Sequence, residues 1–279
     1  MTIHTCFEQP FQATARALDQ FYTNPLIAEK CYARLSQTFP AQPGDLWIEP
    51  SAGAGAFLAH LPEPRIGLDL APAASGIVRA DYLNWVPPGN FRRHVVVGNP
   101  PFGRNASLAI NFFNHAASHA DVIAMILPRS VRKSSLRRRL NRMFHLVDEM
   151  LLPVEAFLYE GQPYAVRTVF QIWERRGYER SEQRGDVKHP DFSFCNAEEA
   201  DFAIRRIGGV AGRIFDNPIE HTPSSHLFLK AIDRENAQHL RARFAQLDFS
   251  EVREDSVANY SVAKSDVVAL YEALLVAGG

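Results

Sequence analysis

At 279 residues the chain has room for one large domain with an appendage, or for two small domains. Apolar residues make up 46% and charged residues 22%, the balance of an ordinary soluble globular protein, and no apolar run is long enough to cross a bilayer. The formal net charge of -1 excludes a uniformly basic nucleic-acid binder.

The opening segment MTIHTCFEQP lacks a basic stretch followed by an apolar one. It is therefore no secretory signal, and the cytoplasm is the expected compartment. Cys6, Cys31 and Cys195 lie far apart and form no CxxC pair, and the ten histidines form no HExxH. Neither a disulfide framework nor a structural metal is expected.

Residues 24–37 read as a helix, with Asn24 as its cap, Pro25 in its first turn, and Leu26, Ile27, Tyr32 and Leu35 near one face. Leu46-Trp47-Ile48 follows as a buried strand ending at Glu49-Pro50, and the small residues SAGAGAF then open a helix. RIGLDL ends a second strand at Asp69; residues 76–80 form a third that ends at Asp81. HVVVG and DVIAMILP give a fourth and a fifth, ending at Asn99-Pro100 and Pro128. Residues 106–118 carry a helical pattern. Strands alternating with helices predict a parallel sheet, and their continuous apolar character predicts cover on both faces.

Residues 144–152 and 166–174 read as a sixth and a seventh strand. The link between them, PVEAFLYEGQPYA, is too short for the usual helical crossover and predicts an antiparallel return. The polar stretch 177–190 reads as a linker or exposed loop. Beyond it, DFAIRRIGGVAGRIF predicts a strand, a Gly-Gly turn and a strand, and helical patterns run around 224–245 and 264–277. The expected organisation is a domain over 1–176 and a smaller C-terminal extension over 177–279.

In an open α/β sheet, ligands bind beyond the carboxyl ends of the strands. The run from Glu49 through Ala52 and Gly53 to Gly55 follows the first strand, where glycine allows a tight turn and close backbone approach. Asp69 follows the second strand, where a carboxylate usually grips ribose, and Asp81 follows the third, within range of an adenine amino group. Neither the GxGxxG fingerprint nor a GxxxxGK[ST] loop is present, which disfavours nicotinamide cofactors and nucleoside triphosphates.

The most informative segment is Asn99-Pro100-Pro101-Phe102 at the end of the fourth strand. Two prolines stop the hydrogen-bond ladder and fix a rigid corner. Asn99 offers a side-chain carbonyl, and Pro100 a backbone carbonyl with no accompanying donor. An aryl amine is a poor nucleophile because its lone pair is delocalised into the ring. Two acceptors on its N–H bonds favour a more tetrahedral nitrogen and stabilise the positive charge that grows on it. Phe102 supplies an apolar face for a planar base.

With these residues the sequence resembles the N6-adenine nucleic-acid methyltransferases in which the cofactor motif precedes the catalytic one. Phe21-Tyr22-Thr23, Glu49 to Phe57, Asp69 with Asp81, and Asn99 to Phe102 match in order, and residues 166–173 match more weakly. The resemblance spans roughly residues 20–175. It implies a Rossmann-like α/β fold, with a seven-stranded, mostly parallel sheet and an antiparallel final strand. It also implies S-adenosylmethionine as cofactor. Tyr22 and Thr23 would help hold that cofactor; Glu49, Ala52 and Gly53 would line its methionine end. Asp69 would bind the ribose and Asp81 the cofactor adenine. Asn99, which is also a candidate cofactor contact, and Pro100 would hold the target amine, with Phe102 stacked on the base; Pro101 belongs to the same catalytic tetrapeptide. The sequence departs from the family pattern in two ways: Asn24 interrupts the usual Thr-Pro after the tyrosine, and the target-recognition region is not recognisable.

A base inside a duplex must be flipped out before its amine can react, and this calls for phosphate grips. The run RSVRKSSLRRRLNR contains six arginines and a lysine with no acid. Its Arg132, Lys133, Arg137 and Arg138 are candidate phosphate contacts, as are Arg205 and Arg206 beside Gly208-Gly209. Tyr159 and Tyr164 are candidates to frame a flipped base. Nucleic acid is the expected partner, DNA slightly ahead of RNA, and a partner subunit could supply target specificity. The alternatives are a methyltransferase acting on guanine N2 of RNA or on a protein glutamine, and an inactive methyltransferase-like binding subunit.

Overall fold

The computed structural model describes residues 22–159, 162–181, 187–255 and 260–278. The chain divides into two compact units. One runs up to Pro128 and resumes over Arg139–Arg180; the other joins Arg129–Arg138 to the chain from Ser181 onward. Among the described residues no helix is long and apolar enough to cross a membrane.

The first unit opens with a two-residue strand, β1 (Tyr22–Thr23), and helix α1 (Pro25–Thr38). Asn24 caps the helix, its side-chain carbonyl accepting the Leu26 N–H at 3.0 Å. Pro25 takes the first helical position, where an N–H would have no helical partner anyway. Ile27, Ala28, Cys31 and Leu35 form the buried face.

The central sheet contains β2 (Asp45–Glu49), β3 (Arg65–Asp69), β4 (Ile77–Arg79), β5 (Arg93–Gly98), β6 (Val122–Pro128), β7 (Phe144–Leu151) and β10 (Thr168–Arg175). Its order is β4-β3-β2-β5-β6-β10-β7. The pairs β2–β3, β2–β5, β3–β4 and β5–β6 are parallel. Strand β10 runs antiparallel to both neighbours, with Phe170 opposite Ile126 and Met150. The short link after β7 therefore makes the expected antiparallel return, but the returning strand slots between β6 and β7 and leaves β7 at the edge. Every residue of β2 and β6 is buried, which is why both read as nearly unbroken apolar runs. The charged start of β2 is no exception, since buried Asp45 pairs with Arg93 of β5 at 2.6 Å. The result is a Rossmann-like α/β unit with a seven-stranded, mostly parallel sheet.

Two local expectations change. Residues 53–60 form successive turns rather than a regular helix, because Gly53 and Gly55 adopt positive φ and the Glu49 carboxylate takes the Leu58 N–H at 2.6 Å. The link after β7 is not plain loop: it forms the hairpin β8 (Phe157–Tyr159) and β9 (Gln162–Tyr164), and β8 pairs with β1, Thr23 opposite Phe157. Helix α2 (Ser107–Ala116) lies between β5 and β6.

The second unit holds α3 (Ser134–Arg137), an antiparallel sheet, and helices α4 (Ala237–Phe244), α5 (Ser250–Glu254) and α6 (Lys264–Gly278). Its strands are β11 (Phe192–Phe194), β12 (Phe202–Arg205), β13 (Ile214–Phe215) and β14 (His226–Ala231), in the order β11-β14-β12-β13. The expected hairpin around Gly208-Gly209 is present as β12 and β13, with Ala203 opposite Phe215. Residues 226–231 are a strand and not the start of a helix. They pair with β11 and β12 at once, and that pairing overrides a pattern ambiguous between strand and helix. Phe192, Phe202, Leu229, Phe244 and Tyr271 centre this unit's core.

Candidate functional site

The carboxyl ends of β2, β3, β4 and β5 open onto a cavity of about 340 Å³ within the first unit. Tyr22, Thr23, Glu49, Ala52, Gly53, Asp69, Asp81, Asn99, Pro100, Pro101 and Phe102 all line it. Such a volume falls within the range of small-molecule sites.

Asp69 organises the floor. One carboxylate oxygen accepts the Gly53 N–H at 2.8 Å and the other accepts the Ala71 N–H at 2.7 Å. The turn after β2 is thereby tied to the end of β3, and Ala52 N–H adds a bond to Leu68 O at 2.8 Å. Gly53 has φ +52, and a Cβ added there would stand 3.0 Å from Tyr22 Cε1. The tyrosine ring therefore lies directly over backbone that only glycine leaves open.

Glu49 is buried at the end of β2. Burial pushes its carboxyl up to about 8; the N–H groups of Leu58 and Phe57 pull it back, and Asp69 adds a smaller push upward. Asp81 caps the short 3-10 turn Tyr82–Asn84, accepting the Leu83 N–H at 3.1 Å and the Asn84 side-chain amide at 2.7 Å. Behind it, the Tyr82 hydroxyl meets His119 Nε2 at 3.2 Å. Burial, helped by His115, His94 and Arg175, pushes His119 down to about 4.

The Asn99 corner is held from β2. Ser51 Oγ donates to the Asn99 carbonyl at 2.9 Å, and Gly98 lets Pro50 come close, since a Cβ there would lie 3.3 Å from Pro50 Cδ. Phe102 is half-buried and meets Phe157 edge-on, with centroids 6.1 Å apart. Its carbonyl accepts the N–H groups of Leu108 and Ala109 at 3.1 and 3.3 Å. Between these anchors Gly103, Asn105 and Ala106 all take positive φ. An alanine in that region stores strain, which recurs at functional sites.

The motifs did not reveal Leu70, Tyr82, Leu83, Leu108 or Phe112, which also line the cavity. Leu70 and Tyr82 directly follow the two strand-end aspartates, and Leu108 and Phe112 share a face of α2 at i, i+4 spacing. Those offsets were the available signal.

The residues expected to hold phosphate lie outside this cavity. Arg132 pairs with Asp255 at 2.8 Å and Glu251 at 2.9 Å, and Arg129 with Asp255 at 3.0 Å and Glu254 at 3.1 Å. Lys133 donates to Ser261 Oγ at 2.8 Å and stands 4.0 Å from Asp266. Arg137 and Arg138 are exposed at the end of α3, and Arg137 also donates to the Arg132 carbonyl at 3.0 Å. Arg205 donates to the Ile207 carbonyl at 2.9 Å, while Arg206 is exposed. The backbones of Tyr159 and Tyr164 belong to the β8–β9 hairpin. Their side chains, and Phe21, lie outside the described residues.

No family model matches the sequence, and no curated protein matches it. Among solved structures, the chain is similar to the 23S rRNA methyltransferase ErmE at 16% identity and TM-score 0.40, over 91% of this chain and 99% of that one. It is similar to the type I restriction-modification methyltransferase subunit of Streptococcus thermophilus at 13% identity and TM-score 0.41, over 83% of this chain and 55% of that one. The plantazolicin methyltransferase BpumL, solved with SAH, aligns at 9% identity and TM-score 0.34, over 55% of this chain and 84% of that one.

Proposed function

We propose that the chain transfers a methyl group from S-adenosylmethionine to the exocyclic N6 amine of adenine in nucleic acid, with DNA ahead of RNA. One observation carries the reading: Asn99 and Pro100 share a single cavity with the Gly53 turn and the strand-end acids Glu49, Asp69 and Asp81.

The cavity fits the cofactor on its own chemistry. The Gly53 turn lines the cavity without a side chain of its own, packed so closely by Tyr22 that a Cβ would intrude. Asp69 and Asp81 present acceptors suited to hydroxyls and an amino group, and Leu70, Leu83 and Phe112 supply apolar walls. Glu49, Ala52 and Gly53 would hold the methionine end, with Tyr22 and Thr23 across from them. The bound cofactor supplies an electrophilic methyl on a sulfonium.

The chain's own residues do the rest. Asn99 Oδ1 and the Pro100 carbonyl accept the two N–H bonds of the target amine and stabilise the charge that develops on nitrogen. Pro100 and Pro101 hold both acceptors at a fixed separation, so little reorganisation is needed at reaction. Phe102, braced by Phe157, offers its face to the base. The amine proton leaves after transfer, so no strong base is required. Arg137, Arg138, Arg205 and Arg206 are the proposed phosphate contacts of the second unit, and Arg132 and Lys133 underpin that surface through their pairs with its acids.

The test incubates the protein with labelled cofactor and separate DNA, RNA and protein pools, then digests each product to nucleosides or peptides for mass spectrometry. N6-methyladenine is the expected product. Label in guanine or glutamine, or in nothing, overturns the reading.

A further inference from the structure

The segment that follows the Asn99 corner runs from Gly103 to Ala106. Gly103, Asn105 and Ala106 are left-handed, and Arg104 and Asn105 are exposed among them. The segment is pinned at both ends: Phe102 lines the cavity and accepts from Leu108 and Ala109 on α2, and Gly103 packs so tightly that a Cβ would lie 2.8 Å from Leu108 Cγ. Leu108 lines the same cavity. Arg104 thus sits exposed in an arch held between two wall residues of the site.

A second cation reaches the same arch. Arg139 Nη1 donates to the Asn105 carbonyl at 3.5 Å, and its own carbonyl accepts from Asn114 of α2 at 2.9 Å. Asn114 also accepts the Asn141 N–H at 2.8 Å, so one helix sets the backbone of both arginines. Neither forms an ion pair among the described residues.

The surrounding sequence leaves their charge unbalanced. From 82 to 147 the chain carries ten arginines and lysines and one acid, Asp121, which accepts the His94 backbone N–H at 2.9 Å. Four other arginines of this stretch lie against acids: Arg93 against Asp45, Arg142 against Glu179, and Arg129 and Arg132 against the acids of the second unit. Two unmatched guanidiniums beside a site for a planar amine suit a substrate with phosphate adjoining the reacting ring.

We infer that Arg104 and Arg139 clamp backbone phosphate adjoining the target nucleotide, so that the substrate of this site is a polynucleotide rather than a free base, a nucleoside or a side-chain amide. The inference rests on the adenine reading and deepens it. The clamp holds the sugar–phosphate chain while the ring enters between Phe102 and the Asn99 corner, and it reads no sequence.

The test uses the full chain with Arg104→Ala, Arg139→Ala and the double substitution, with Arg104→Lys as a charge-conserving control. Binding of an adenine-containing oligonucleotide is followed across salt concentrations, without turnover. Each alanine should lower the slope of log affinity against log salt by about 0.7–0.9 and weaken binding at least ~10-fold at low salt, while lysine keeps most of the slope. Cofactor affinity within about twofold of the parent marks an intact fold. An unchanged slope in the double variant overturns the clamp, as does a parent protein that binds no oligonucleotide. A parent whose binding depends on the clamp but which leaves adenine unmodified supports the clamp and overturns the adenine reading instead.

Discussion

The acids at the cavity of the first unit and those around the segment 129–138 of the second are satisfied differently. In the first, acids at the ends of parallel strands are satisfied by backbone N–H groups: Asp69 by Gly53 and Ala71, Asp81 by Leu83, Glu49 by Leu58. Their bonds shape turns and leave a cavity between them. In the second unit, the acids facing the segment 129–138 meet cations directly: Asp255 takes Arg129 and Arg132, and Glu251 takes Arg132 as well. Those charges are spent on holding the segment 129–138 to its own unit. A parallel sheet delivers all its strand ends, and the loops that follow, to one side, so polar groups collect where a ligand can reach them. An antiparallel sheet with short turns disperses them.

This contrast is broken most severely at the proline corner. Asn99→Ala is expected to cut methyl transfer by at least ~10² while cofactor affinity survives. Near-normal turnover, read as labelled methyl incorporated per minute, would remove Asn99 from the chemistry. Asp69→Ala comes next, with a loss of roughly 10-fold or more in cofactor affinity, because it strips an acceptor from the ligand and frees the Gly53 turn together. Isothermal titration checks it, and unchanged affinity would dissolve the assignment.

Asp255→Ala probes the opposite strategy. It should cost about 1–3 kcal/mol of stability, seen in denaturant unfolding, because two arginines lose a shared partner. Cofactor affinity should hold; if it fell with stability, the separation of roles between the units would be mistaken.

The smallest effect is a pH trend. Burial holds the Glu49 carboxyl near 8, above its ordinary 4.5, so the folded chain binds more protons than the unfolded one between those values. Glu49 therefore contributes stability that is fully present below pH 4.5 and lost as pH rises towards 8. His119, held near 4, works in the opposite sense between 4 and 6.5, so the cleanest window is pH 6.5–8. Glu49→Gln should flatten the decline of Tm across that window; parallel curves for parent and variant would show that Glu49 does not titrate there.

Much of the first unit was legible because its signals are local. Asn24 before Pro25 marked a helix start, and the unbroken apolar runs at 46–48 and 122–127 marked strands covered on both sides. The tetrapeptide at 99–102 was legible because prolines after a strand admit few conformations. What escaped depends on distant partners. Strand β1 has two residues and exists because β8 pairs with it. Residues 226–231 became a strand through neighbours on both sides. The acids that claim Arg129 and Arg132 stand 119 to 126 residues further along the chain, beyond the reach of any local pattern. The exposed Arg104 escaped because one arginine in a loop carries no pattern; only the arch around it places it next to the cavity wall.

The path of the chain through residues 129–138 has a practical consequence. The second unit borrows this decapeptide from the middle of the first, so no single cut separates the two. A fragment ending near residue 176 would keep Arg129, Arg132 and Lys133 but lose Asp255, Glu251 and Asp266, their counter-charges. Expressed alone, it would present a cluster of unneutralised guanidinium and ammonium groups, and whatever grip on a polyanion Arg129, Arg132 and Lys133 then supplied would be an artefact of the truncation.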